Sequence, residues 1–161
     1  MSKVPLRFTV NERQVEVWTR PNQTLLEVLR DEVGATEVKY GCGEGICGTC
    51  TVLIDGESVN ACLMYGVQAE GATITTLKGL GGDDRPLHPL QESFLDHGAS
   101  QCGFCTPGMV LTAFEFARDR PEPSRDEIRD ALAGNLCRCT GYTKIVDAVE
   151  SYARGQREPE R

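Results

Sequence analysis

The sequence predicts an α+β chain in which strands come first and helices follow. Three observations carry this. Apolar residues alternate with a period of two in the first half and recur with a helical period after residue 87. Between the halves, residues 79–86, Gly-Leu-Gly-Gly-Asp-Asp-Arg-Pro, read as a linker. Each half also holds four cysteines: Cys42, Cys47, Cys50 and Cys62, then Cys102, Cys105, Cys137 and Cys139, which accounts for all 8. The expected division is a β-rich domain over 1–78, the linker over 79–86, a helical domain over 87–154 and a solvated tail over 155–161.

Residues 4–10 alternate like a strand, Asn11-Glu12 turns the chain, and residues 14–18 alternate again, which is a hairpin pattern. Thr24-x-x-Glu27 forms a capping box ahead of Leu25, Leu26, Leu29 and Val33, with Gly34 behind, so a helix of about ten residues is expected. The loop 40–49 carries three cysteines and four glycines, Gly41, Gly43, Gly45 and Gly48. Thr51–Ile54, the tight turn Asp55-Gly56 and Glu57–Val59 make a second hairpin, and residues 72–77 a last short strand.

Beyond the linker, Leu87, Leu90 and Phe94 mark a helix ended by Gly98. Thr106 and Pro107 open a second helix carrying Met109, Val110, Ala113, Phe114 and Ala117. Pro121 and Pro123 separate it from a third, capped by Ser124-x-x-Glu127, carrying Ile128 and Leu132 and stopped by Gly134. A fourth, over 143–153, carries Ile145, Val146, Val149 and Tyr152. The second half therefore reads as a four-helix bundle. Trp18, Tyr40 and Phe104 are expected to be packing residues, Phe104 also to shield the second cysteine group from water.

A net charge of −7 excludes a nucleic-acid partner, which would need a basic surface. No run of about eighteen apolar residues exists to span a membrane, and the N-terminus has no apolar signal-peptide core, so a cytoplasmic protein is expected. In that reducing compartment clustered cysteines point to metal or redox chemistry ahead of disulfides.

Four thiolates per group suffice to hold one iron–sulfur cluster, and Cys42-x4-Cys47-x2-Cys50 followed by Cys62 is the plant-type spacing for a [2Fe–2S] centre. Glycines between those cysteines let the backbone wrap a compact anionic core and aim N–H groups at it. Gly43-x-Gly45-x-x-Gly48 also matches a dinucleotide fingerprint, but a strand follows where that motif needs a helix. In the second group, Cys102-x2-Cys105 precedes one helix and Cys137-x-Cys139 another, and two helix N-termini favour an anion between them. Zinc on four thiolates is the alternative, stronger for the second group than for the first. His88 and His97 are expected to be solvated or to cap helices. Arg138, between two cysteines, is either a surface cation or a charge partner for an anionic group.

Three stretches resemble one family: Gly41 to Val52 (GCGEGICGTCTV), Gln101 to Met109 (QCGFCTPGM) and Gly134 to Tyr142 (GNLCRCTGY). The family is the iron–sulfur subunit of the molybdenum hydroxylases, which includes xanthine dehydrogenase, aldehyde oxidoreductase and carbon monoxide dehydrogenase. The resemblance covers roughly residues 4–153. It implies a plant-type ferredoxin-like β-grasp domain with one [2Fe–2S] cluster, then the helical domain with a second. It implies a large molybdenum-binding subunit and a medium FAD-binding subunit as partners in a hetero-oligomer. Gln101 and Cys139 match the positions that approach the pterin of the molybdenum cofactor. The chain ends soon after the second group, as a separate small subunit would. Cys42-Gly43-Glu44-Gly45 resembles the purine, aldehyde and N-heterocycle enzymes more than those acting on carbon monoxide, and Thr49 stands where relatives often have alanine. The expected function is electron transfer without substrate chemistry on this chain, with a free-standing ferredoxin-type shuttle as the alternative.

Overall fold

The computed structural model describes residues 2–118, 120 and 122–155. Pro121 and residues 156–161 of the expected tail lie outside the described residues. Strands β1 (Val4–Val10), β2 (Arg13–Thr19), β3 (Thr51–Ile54), β4 (Glu57–Asn60) and β5 (Thr73–Thr75) form a five-stranded sheet in the order β2-β1-β5-β3-β4. β1 and β5 run parallel and the other pairs antiparallel. Both hairpins close on two residues with positive φ, Asn11 (50°) with Glu12 (68°) and Asp55 (51°) with Gly56 (92°). Such turns match the twist of the strands they join.

Helix α1 (Leu25–Glu27) starts at the expected capping box. The Glu27 N–H donates to Thr24 Oγ1 at 3.2 Å, and the Thr24 N–H donates to the Glu27 carboxylate at 2.7 Å. The expected ten-residue helix is instead one short α segment that widens into a π-helical turn, Val28–Glu32. The wider turn closes when Val33 N–H donates to Val28 C=O at 3.1 Å. Leu25, Leu26, Val28 and Leu29 are all buried, and they meet Leu6, Phe8, Val52 and Ile74 from the sheet in one core.

The stretch expected to be an open linker begins as a one-turn helix, α2 (Leu77–Leu80). Leu77 and Leu80 pack on the core of the second half, which draws the chain into helix early. α3 (Pro89–Asp96), α4 (Thr106–Arg118), α5 (Arg125–Ala131) and α6 (Thr143–Gly155) follow. α3 starts at Pro89, so Leu87 lies outside it, and Gly155 closes α6 where a tail was expected. Leu90, Phe94, Met109, Val110, Ile128, Ile145 and Val149 fill the second core.

The two halves are docked. α4 lies against β3 and β4, the Ser58 N–H donates to Glu115 at 3.0 Å, and Arg118 donates to Gly56 C=O at 3.1 Å. Trp18, Tyr40 and Phe104 are exposed, against the packing role expected of them. For Trp18 the cause is strand parity: Val15 and Val17 on the edge strand turn inward, so the residue after them turns out.

Candidate metal centres

The two cysteine groups form at opposite edges of a shared junction. In the first, positive φ at Gly43, Gly45 and Gly48 curls the loop around its own thiols. The Glu44 N–H donates to Cys42 Sγ at 3.3 Å. That contact, with further help from the Cys47 and Ile46 N–H groups, lowers the Cys42 thiol to about 6. Burial pushes Cys50 up to about 12. In the second group, Cys105 directly precedes α4 and Cys139 lies in the loop ahead of α6. The Phe104 N–H lowers Cys102, burial pushes Cys105 up to about 12, and contact with Cys102 raises Cys139. Cys137 is opposed by burial yet lowered on balance by the Thr140 hydroxyl and the N–H groups of Cys139 and Thr140.

All eight thiols are free. Within each group they influence one another: Cys42 with Cys47, Cys50 with Cys62 and Cys47, Cys105 with Cys137 and Cys102, and Cys102 with Cys139 at 3.4 Å between sulfurs. Among the described residues no three His, Cys, Asp or Glu side chains gather tightly enough to hold one metal ion. A tetrahedral zinc site asks four donors to meet at a single point. Two pairs of thiols suit a two-iron core with two thiolates on each iron. The donor set therefore fits [2Fe–2S] centres, with a cation required to deprotonate the buried Cys50 and the half-buried Cys105.

Between the groups lies a junction that the spacing of the sequence does not announce. The Leu136 N–H donates to Cys47 C=O at 2.9 Å, and buried Asn135 donates through Nδ2 to Gly48 C=O at 3.1 Å. Tyr142 Oη accepts from the Cys137 N–H at 2.9 Å and donates to Asn135 C=O at 3.3 Å. A Cβ on Gly48 would stand 2.5 Å from Gly134 O and 2.6 Å from Asn135 Nδ2, and one on Gly108 would strike Gly48 O. Thr49 and Thr140 also went unassigned in the sequence; each sets its hydroxyl 3.2 Å from a thiol, Cys47 and Cys137 respectively. A polar residue within three positions of a cysteine was the available signal.

Gln101, Cys102, Phe104, Arg138 and Cys139 are all exposed around the second group, so that group opens on one surface. His88 and His97 cap α3, as expected: His88 Nδ1 accepts from the Leu90 N–H at 3.2 Å, and His97 Nδ1 lies 2.9 Å from Ser93 C=O.

Residues 8–74 match the family model described as a 2Fe–2S iron–sulfur cluster binding domain, and residues 76–150 match the one described as a [2Fe–2S] binding domain. The chain is 48% identical over 149 residues to the nicotinate dehydrogenase small FeS subunit of Eubacterium barkeri, covering 92% of this chain and 94% of that one. It belongs to the small iron–sulfur subunits of the molybdenum hydroxylases. The nicotine 6-hydroxylase small subunit of Paenarthrobacter nicotinovorans is 44% identical to this subunit, covering 91% of this chain and 88% of that one. Quinoline 2-oxidoreductase from Pseudomonas putida 86 superposes with a TM-score of 0.92 at 44% identity, covering 98% of each chain. The subunit spans only 12% of rat aldehyde oxidase 1, at 44% identity. It is an electron-transfer subunit with two [2Fe–2S] centres, part of a molybdenum-dependent oxidoreductase. No helix among the described residues is long and apolar enough to cross a membrane.

Proposed function

We propose that this subunit carries single electrons from a molybdenum–pterin site on a large partner to FAD on a medium partner, within a cytoplasmic hetero-oligomer. The observation that carries the proposal is the gathering of eight free thiols into two groups of four, one in each half. Each bound [2Fe–2S] centre supplies a one-electron relay. Cys42, Cys47, Cys50 and Cys62 would hold the first centre. Cys102, Cys105, Cys137 and Cys139 would hold the second. The β-grasp domain over 1–78 holds the first centre, and the four-helix bundle over 87–154, joined through 79–86, holds the second. Gln101 and Cys139, exposed beside each other's loops, face the pterin. The backbone N–H of Glu44 stabilises thiolate charge at Cys42, and that of Phe104 does so at Cys102. The relatives named for nicotinate, nicotine and quinoline favour an N-heterocycle as the substrate of the assembled enzyme, ahead of purines and aldehydes, with carbon monoxide last.

Metal analysis of the protein purified with its native partners tests this. About four irons per chain are expected, with molybdenum and FAD in the same complex. A colourless zinc protein would sink the iron assignment. A stable iron-only monomer would favour the free shuttle instead.

A further inference from the structure

We infer that Thr49 sets the potential of the first centre through a hydroxyl held on Cys47, and that Thr140 does the same for the second centre through Cys137. The inference rests on the proposed reading of these cysteines as ligands. Each threonine Oγ1 lies 3.2 Å from its sulfur. A ligating thiolate has no proton to give, so the hydroxyl donates. Space for the first contact is provided by Gly41, where a Cβ would stand 2.6 Å from Thr49 Oγ1 and 2.7 Å from Cys47 Sγ.

A hydrogen bond to a thiolate strengthens as negative charge builds on it. One added electron makes the cluster more negative, so the hydroxyl stabilises the reduced form more than the oxidised one and raises the potential. The exchange between centres is balanced by one electron: the second centre is oxidised, the first reduced, and no bond or proton moves. Thr49 draws the electron toward the first centre and Thr140 holds it at the second.

The two threonines are unequal. Thr49 is only 5% exposed, so water cannot replace its hydroxyl. Thr140 is half-buried, and its hydroxyl also accepts from the Tyr142 N–H at 3.2 Å. Removing the Thr49 hydroxyl therefore has the larger effect.

The test is a redox titration of the enzyme assembled with its partners, with both reduced centres followed by electron paramagnetic resonance. Thr49→Val should keep both centres and lower the potential of the first alone. Its reduced-to-oxidised ratio at a fixed potential should fall about tenfold, which is about 59 mV for one electron. Thr49→Ser should restore the parent value, and Thr140→Val should lower the second centre by less. An unchanged first potential in Thr49→Val overturns the inference, as does an equal shift of both centres. Loss of iron also overturns it, by making Thr49 an assembly residue. A parent enzyme lacking either centre would overturn the ligand assignment itself, which is a separate failure from a parent with both centres and an indifferent Thr49→Val.

Discussion

Gly48 carries two constraints that most glycines in the chain do not share. Its φ is +64°, and a Cβ there would stand 2.5 Å from Gly134 O. Gly141 has nearly the same φ, +63°, but open space around it. Left-handed backbone alone costs a non-glycine residue about 1–2 kcal/mol. Gly141→Ala should therefore lose about that much stability. Gly48→Ala should lose at least about 1 kcal/mol more, because backbone atoms cannot step aside. Denaturant unfolding of the two variants, side by side, measures the difference. The two cysteine groups were legible as groups, because identity and spacing mark them. Asn135 was not: it reaches Gly48 across 87 positions, and an asparagine before a cysteine loop looks like any turn residue.

At the scale of elements, the start of α3 depends on the protonation of one side chain. His88 Nδ1 accepts from the Leu90 N–H, and the ring lies edge-on to Phe114 at 5.2 Å and tilted to Tyr152 at 5.6 Å. Burial lowers its pKa from the ordinary 6.5, with Glu92 opposing. The unfolded chain thus takes up the proton first as pH falls. The stability contributed by neutral His88 is complete above pH 6.5 and is lost as pH drops from there through the lower folded value. His88→Asn keeps a capping acceptor and removes the titration, so its melting temperature should fall less than the parent's between about pH 7 and pH 5. Equal declines would remove His88 as the cause. Helices α3 to α6 were readable from caps and period, whereas the π-turn after Glu27 was not: Leu25, Leu26 and Leu29 suit either helix, and hydropathy does not report the width of a turn.

Over the whole molecule, the halves are two cores with one joint. Sequence periodicity marked the change from strands to helices, and most of the apolar faces close within their own half. It said nothing of the joint, which combines backbone carbonyls and glycines with the side chains of Asn135, Glu115 and Arg118. α4 against β3 and β4, together with the Asn135–Gly48 bond, couples the two cores mechanically. Heating should accordingly destroy the visible circular-dichroism signals of both centres in one transition. Two separated transitions would show that the joint transmits little stability.

That joint also bears on inheritance. The contacts described between the halves all lie within this one chain, so the pair can be carried intact in a separate small subunit or as 12% of a much larger polypeptide such as rat aldehyde oxidase 1. Recombining the front half of one relative with the back half of another is a harder exchange. A graft at residues 79–86 would have to bring a glycine facing α4 and an asparagine facing the first loop from two different ancestors that had never been fitted to each other.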